Sequence, residues 1–188
     1  VNVQGKASHA GFNPEAGIHS IKAACEAIAT LPQGHIDKET TANIGLINGG
    51  EGINIVPSSC NIRGEIRSLN HEKALATAQQ YRDTFQNSAE KYGATLDWTQ
   101  QIDIQAYETS TEESIISRYV AACGLCDVEP KLIKTFGGSD NNVFSQHGIK
   151  GLVIANSMNN VHSCKEYANV YEMQKVIEVL RVLVMEIE

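Results

Sequence analysis

The chain opens on an alternation: Val1 and Val3 flank Asn2, the pattern of a half-buried strand. Asn13 then suits a helix N-cap and Pro14 the first helical position. Ile18, Ile21, Cys25, Ile28 and Leu31 recur at spacings of three and four, which predicts one apolar helix face, closed by Pro32 and Gly34. Over Thr41–Ile47 the alternation returns, with Ala42, Ile44 and Leu46 on one side. Asn48-Gly49-Gly50-Glu51-Gly52 turns the chain. A long strand is expected over Ser59–Ser68, with Cys60, Ile62 and Ile66 facing one way and Asn61, Arg63, Glu65 and Arg67 the other. Asn70 caps a helix carrying Leu75, Ala78, Tyr81, Phe85, Ala89 and Tyr92 on one face, closed by Gly93. Thr95–Ile104 predicts a last strand with Leu96, Trp98, Ile102 and Ile104 inward. The order βαββαβ is the ferredoxin-like pattern, an antiparallel sheet with two helices on one face, and it fills residues 1–104.

From residue 105 the rhythm changes. Ser110 and Glu113 suggest a capping box before a helix bearing Ile115, Ile116, Tyr119, Val120 and Cys123. Lys131–Phe136 and Gly151–Ala155 predict short strands, and the run from Gly137 to Asn142 opens a helix ending near Gly148. Glu172–Glu188 predicts an amphipathic helix that turns Met173, Val176, Ile177, Leu180, Leu183, Val184 and Ile187 inward. Helix and strand alternate here, as in α/β domains, but two strands are too few for an independent sheet. The whole therefore reads as α+β: a ferredoxin-like domain over 1–104, then an incomplete α/β segment over 105–188.

At 188 residues and 42% hydrophobic the chain can bury a core. A net charge of −7 argues against nucleic acid and anionic membrane surfaces, both of which require clustered Lys and Arg. No apolar run approaches a membrane span. Five scattered cysteines point to a reducing cytoplasm. A chain that begins with Val inside a strand is expected to lack the first part of a larger protein.

Several stretches could carry chemistry. His9 lies among small residues in Gly5-Lys6-Ala7-Ser8-His9-Ala10-Gly11, between a strand and a helix, where a rigid scaffold presents groups. His162 follows the second predicted strand of the α/β segment, at the carboxyl end where ligands collect. Asp140 follows Gly138 and Ser139 at a helix start, where backbone amides favour an anion. Arg67 can clamp a carboxylate, or pair with Glu65 two residues away. Cys123-Gly124-Leu125-Cys126 has redox spacing, but it follows a helix instead of opening one.

Taken together, GKASHAGFNPEAGIHSI, EGINIVPSSCNIRGEIRS, GGSDNNVFSQHGI and NNVHSCKEYANV resemble, in order and spacing, the dizinc aminoacylase and carboxypeptidase family of metallopeptidases, and within it the peptidase T-like branch. The resemblance implies that residues 1–104 are a lid that also dimerises, and that 105–188 are the chain's return into the catalytic domain. It gives His9 the role of reaching the partner subunit's active site, where it polarises the scissile carbonyl or stabilises its oxyanion. Asn54 and Arg67 would contact substrate, Arg67 through a carboxylate. Gly138, Ser139 and Asp140 would line the pocket, and His162 would be the last metal ligand. The remaining ligands and the general base precede the lid in that family, so this chain is expected to hold no zinc by itself and to be inactive alone. Phe136 stands where tripeptidases carry Arg, which favours the broader label. The expected whole protein is a cytoplasmic, homodimeric zinc hydrolase of small peptides. Rivals are an acyl-amino-acid deacylase and a non-catalytic dimerisation and substrate-capping module.

Overall fold

The computed structural model describes residues 1–185. The chain divides into two compact units, the first running Val1–Ala106 and the second beginning at Tyr107. In the first, β1 (Asn2–Gln4), α1 (Ser20–Thr30), β2 (Gly34–His35), β3 (Thr40–Gly49), β4 (Ser59–Ser68), α2 (His71–Lys91) and β5 (Thr95–Asp97) follow in that order. The sheet order is β2-β3-β4-β1-β5, antiparallel throughout. Without the two-residue edge strand β2, this is the ferredoxin-like arrangement. Val3 lies opposite Cys60 and Ala42 opposite Ile66, so their side chains share one face. That face meets Ala23, Ala24 and Ala27 of α1 and Tyr81, Phe85 and Ala89 of α2 in one core.

β4 forms over the residues its alternation predicts, and Asn70 caps α2, its side chain accepting from Lys73 N–H at 3.1 Å. Other elements depart from the pattern. Pro14–Ala16 makes only a short 3-10 turn, and α1 starts at Ser20, where the His19 side chain accepts from Lys22 N–H. The reason lies in Ile18, whose backbone exchanges hydrogen bonds of 2.9 and 3.0 Å with Lys6 and so stays extended. Gly5 permits that approach, because a Cβ there would strike the Ile18 carbonyl oxygen. Cys25 is exposed; the buried stripe of α1 is alanine, which lets α2 come close enough for Ser88 Oγ to donate to the Ala23 carbonyl at 2.7 Å.

In β3 the register shifts between Ile44 and Leu46, so Leu46 lies opposite Arg63 on the outer face, not with Ala42. β5 is only three residues long. Its last residue, Asp97, pairs with Asn2, and Ile102 and Ile104 are exposed.

The second unit holds α3 (Ser114–Leu125), α4 (Asn141–Gln146), a two-stranded hairpin of β6 (Met158–Asn159) and β7 (Tyr167–Ala168), and α5 (Val170–Met185). Its core is Ala122, Cys123, Val179, Val182 and Leu183, flanked by Tyr119, Cys126, Val128 and Ile154. The capping box does not form: Ser110 Oγ accepts from Glu112 N–H at 3.3 Å, and Glu113 precedes α3 without a side-chain cap bond. Lys131–Phe136 and Gly151–Ala155 are not strands, since among the described residues neither has a neighbour to complete a ladder. The inner face of α5 is carried by Val179, Val182 and Leu183, whereas Ile177, Leu180 and Val184 are exposed. Ile187 lies outside the described residues. No helix among them is long and apolar enough to cross a membrane.

Candidate functional site

The loop after β1 continues alongside the segment that precedes β4. Gly5 N–H donates to Ser58 O at 2.7 Å, Val56 N–H to Ser8 O at 2.9 Å, and Ala10 N–H to Asn54 O at 2.9 Å. His9 itself bridges to Ile55. Two stretches 45 positions apart in sequence thus place His9 and Asn54 side by side at one end of the first unit, both exposed. The imidazole is not loose. Its Nδ1 accepts from Gly11 N–H and Phe12 N–H, each at 3.1 Å, and the Phe12 ring stacks on it with centroids 4.3 Å apart. Sequence pattern alone missed Phe12; an aromatic three residues beyond a histidine in a glycine-flanked turn was the available signal.

Arg67 stands elsewhere. It lies toward the far end of β4, opposite Thr41, and about 26 Å of strand separates it from Ser59 at ~3.3 Å per residue. Its guanidinium takes Glu65 in a two-pronged pair, Nε to Oε1 at 2.9 Å and Nη2 to Oε2 at 3.0 Å. That carboxylate pushes the Arg67 pKa up. Both side chains are about half exposed, so the pair is a weak tether that a substrate carboxylate could displace. The structure therefore brings His9 to Asn54, and not to Arg67.

In the second unit, Gly138, Ser139 and Asp140 lead into α4. Asp140 makes no side-chain cap bond; instead the buried Asn142 accepts from Ser139 N–H through Oδ1 at 2.9 Å. His162 lies in the β6–β7 connection with φ of 64°, a left-handed conformation costly for a residue with a side chain. Glu166 Oε2 accepts its backbone N–H at 2.9 Å and ties the turn. The imidazole is exposed. Among the described residues no group of three or more His, Cys, Asp or Glu side chains could hold a metal ion. His162 is a single candidate ligand, and these residues do not by themselves complete a metal centre.

The peptidase dimerisation domain family matches residues 1–93. The uncharacterized protein YqjE of Bacillus subtilis is 32% identical over 182 residues, 97% of this chain and 49% of its own length. The structure of aminopeptidase PepT from Bacillus cereus superposes with a TM-score of 0.86 at 33% identity, covering 97% of this chain and 49% of that one. An indole-3-acetyl-aspartic acid hydrolase of Enterobacter agglomerans is 26% identical over 137 residues, 64% of this chain and 31% of its own. The chain thus spans about half the length of YqjE and PepT. The likeness to them continues well beyond residue 93, through both units. Residues 1–93 belong to the M20 peptidase dimerisation domain family.

Proposed function

We propose that this chain is part of a longer, peptidase T-like dizinc metallopeptidase that cuts amide bonds in small peptides. Residues 1–104 would be its lid and dimerisation domain, and residues 105–188 the C-terminal segment of its catalytic domain. The observation that carries the reading is the 33% identity to an aminopeptidase across 97% of the chain, which spans both units. On this reading the chain alone is inactive. His162 would be its contribution to the zinc centre, with the other ligands outside these residues. Gly138, Ser139 and Asp140 would line the pocket. Five free cysteines support a reducing, cytoplasmic setting.

The chemistry assigned to the lid follows from charge. Attack of water on an amide carbonyl puts negative charge on the carbonyl oxygen. A donor aimed at that oxygen stabilises the transition state more than the substrate, and His9 is such a donor. Asn54, beside it, would hold the substrate backbone. Arg67 would take a substrate carboxylate through its planar fork, releasing Glu65. A small peptide cannot bridge the about 26 Å of β4 that separates the His9 end from Arg67. Within a dimer the two would therefore serve different active sites, with His9 and Asn54 in that of the partner.

Two inactive proteins test this. In the full-length enzyme His9→Ala is expected to lower kcat by about 100-fold or more with little change in KM. Mixed with a variant whose metal site is destroyed, it should regain activity, because the intact metal site borrows an intact His9. If labelling shows that subunits exchange and no activity returns, the trans role of His9 is wrong. A second reading, an acyl-amino-acid deacylase, is favoured by the likeness to the indole-3-acetyl-aspartic acid hydrolase. Comparing kcat/KM for dipeptides, tripeptides and acylated amino acids separates the two.

A further inference from the structure

Two kinds of contact hold the His9 ring, and together they select one of its two neutral forms. Nδ1 accepts two backbone N–H groups, those of Gly11 and Phe12, at 3.1 Å each. A nitrogen that accepts a hydrogen bond through its lone pair cannot also carry the proton, so the neutral ring holds it on Nε2. The second contact is with Phe12. Its ring lies nearly parallel to the imidazole, 22° between planes and 4.3 Å between centroids. Phe12 itself is 88% exposed, so its ring can be altered without disturbing the core.

We propose that Phe12 is a positioning residue which, with the amides of Gly11 and Phe12, fixes His9 as an Nε2–H hydrogen-bond donor. This rests on the reading of His9 as the group that meets the substrate carbonyl. The opposite tautomer would present a lone pair to a developing negative charge and repel it. A ring free to rotate would sample both forms and would have to reorganise before each turnover. Here one edge is bonded to the loop and one face is covered, so the Nε2 edge is the one left for a ligand. The donor is thereby set before substrate arrives, which is where preorganised groups gain their advantage over water. Stacking holds the orientation, and the amides set the tautomer.

The test uses the 188-residue chain labelled with nitrogen-15 at histidine, with His9→Gln to assign the signal among six histidines. At a pH above the imidazole range, the two His9 nitrogens should show the widely separated shifts of the Nε2–H form. An Nδ1–H pattern, or two averaged shifts, overturns the proposal. Phe12→Ala keeps the backbone amide and removes the ring, at an exposed position where the fold does not depend on it. His9 shifts should then move toward the average, and in the full-length enzyme kcat should fall about 3- to 10-fold with KM unchanged. Phe12→Tyr, which keeps the ring, should restore both. If Phe12→Ala leaves the nitrogen shifts and kcat as they were, Phe12 positions nothing and the proposal fails. A separate outcome strikes the underlying reading instead: Nε2–H shifts that respond to Phe12, in an enzyme whose kcat is indifferent to His9→Ala. The loop device would then stand and the catalytic role would not.

Discussion

In the first unit two helices and a five-stranded sheet meet in one cluster that runs from Val3 to Ala94. In the second, α3 and α5 meet around five buried residues, while Ile133, Ile177 and Val184 are each more than 60% exposed. The difference is architectural. A sheet that covers one face with two helices closes its own core. Three helices, one of them only six residues long, and a hairpin with two residues in each strand close less of one, since a two-stranded hairpin adds almost no independent stability. Closure in the first unit also frees its loops for function, because the His9 loop leaves β1 and the Asn54 segment joins β3 to β4, so both are anchored in the sheet.

The contrast predicts a large separation in hydrogen exchange. Amides of β4 and β3 around Cys60, Ile62 and Ala42 should open only with the first unit as a whole, several kcal/mol above the native state. Amides of α3 and α5 should exchange at least about 100-fold faster, through local opening. Equal protection across residues 1–185, measured by mass spectrometry, would mean that the second unit has a closed core of its own.

Substitutions sharpen the same comparison. Phe85 is 2% exposed at the centre of the first core, so Phe85→Ala should cost about 3–5 kcal/mol, near the limit of what a unit this size can lose. Leu183→Ala should land at the low end of its class, about 2 kcal/mol, because few neighbours surround it. Chemical denaturation followed by Trp98, the chain's one tryptophan, which packs at the first core, reads the first variant directly. If Leu183→Ala shifts that same signal as strongly as Phe85→Ala, the two units unfold as one.

What the pattern of residues disclosed divides along the same line. β4 and α2 were legible because their signals are local and mutually consistent: strict alternation from Cys60 to Ile66, and an Asn cap before a 3.6-residue stripe. α1 began six residues later than Pro14 suggests, because the Lys6–Ile18 pairing is a tertiary contact with no trace in the helix spacing. Leu46 changed face because Gly45 accompanies a bulge, and alternation carries no mark of an extra residue. In the second unit the predicted strands 131–136 and 151–155 failed for want of neighbours, and β-propensity without a partner makes no ladder. At the site, His9 and Asn54 could be named by resemblance, yet their adjacency came from the Ala10–Asn54 hydrogen bond. The division of His9 from Arg67 came from the length of β4.

A smaller effect probes how tightly the helix layer of the first unit is joined. Ser88 Oγ, buried, donates to the Ala23 carbonyl and links α2 to α1. Ser88→Ala removes the donor without creating much space, and the carbonyl keeps its place in the helix ladder. A loss of about 1 kcal/mol is expected by denaturant titration, confined to the first transition. A loss of 3 kcal/mol or more would mean that the α1–α2 contact depends on that one bond and not on the alanine stripe.

The smallest expected effect concerns acid. Glu26, Asp37 and Glu51, all in the first unit, have carboxyl pKa values held below the ordinary range. Glu26 is lowered by hydrogen bonds from Lys91 and then Tyr92, Asp37 by the Glu39 backbone N–H and then Lys73, and Glu51 by Ser58. A carboxylate with a depressed folded-state pKa contributes stability that is fully present above its unfolded value. That contribution is lost as pH falls through the folded one. These residues should therefore add to the first unit's stability at neutral pH and lose that contribution progressively as pH falls below the ordinary carboxyl range, about 4. All three are surface groups, so the slope will be shallow and will flatten further in salt. Glu26→Gln isolates one of them: the variant should be less stable than the parent at pH 7, and the deficit should shrink at pH 3, as the advantage of the ionised carboxylate is lost. Thermal melts of the two proteins at each pH decide it. The same deficit at both pH values would show that Glu26 acts through packing and hydrogen bonding that survive protonation. The acid sensitivity of the first unit would then have to be sought in Asp37 and Glu51.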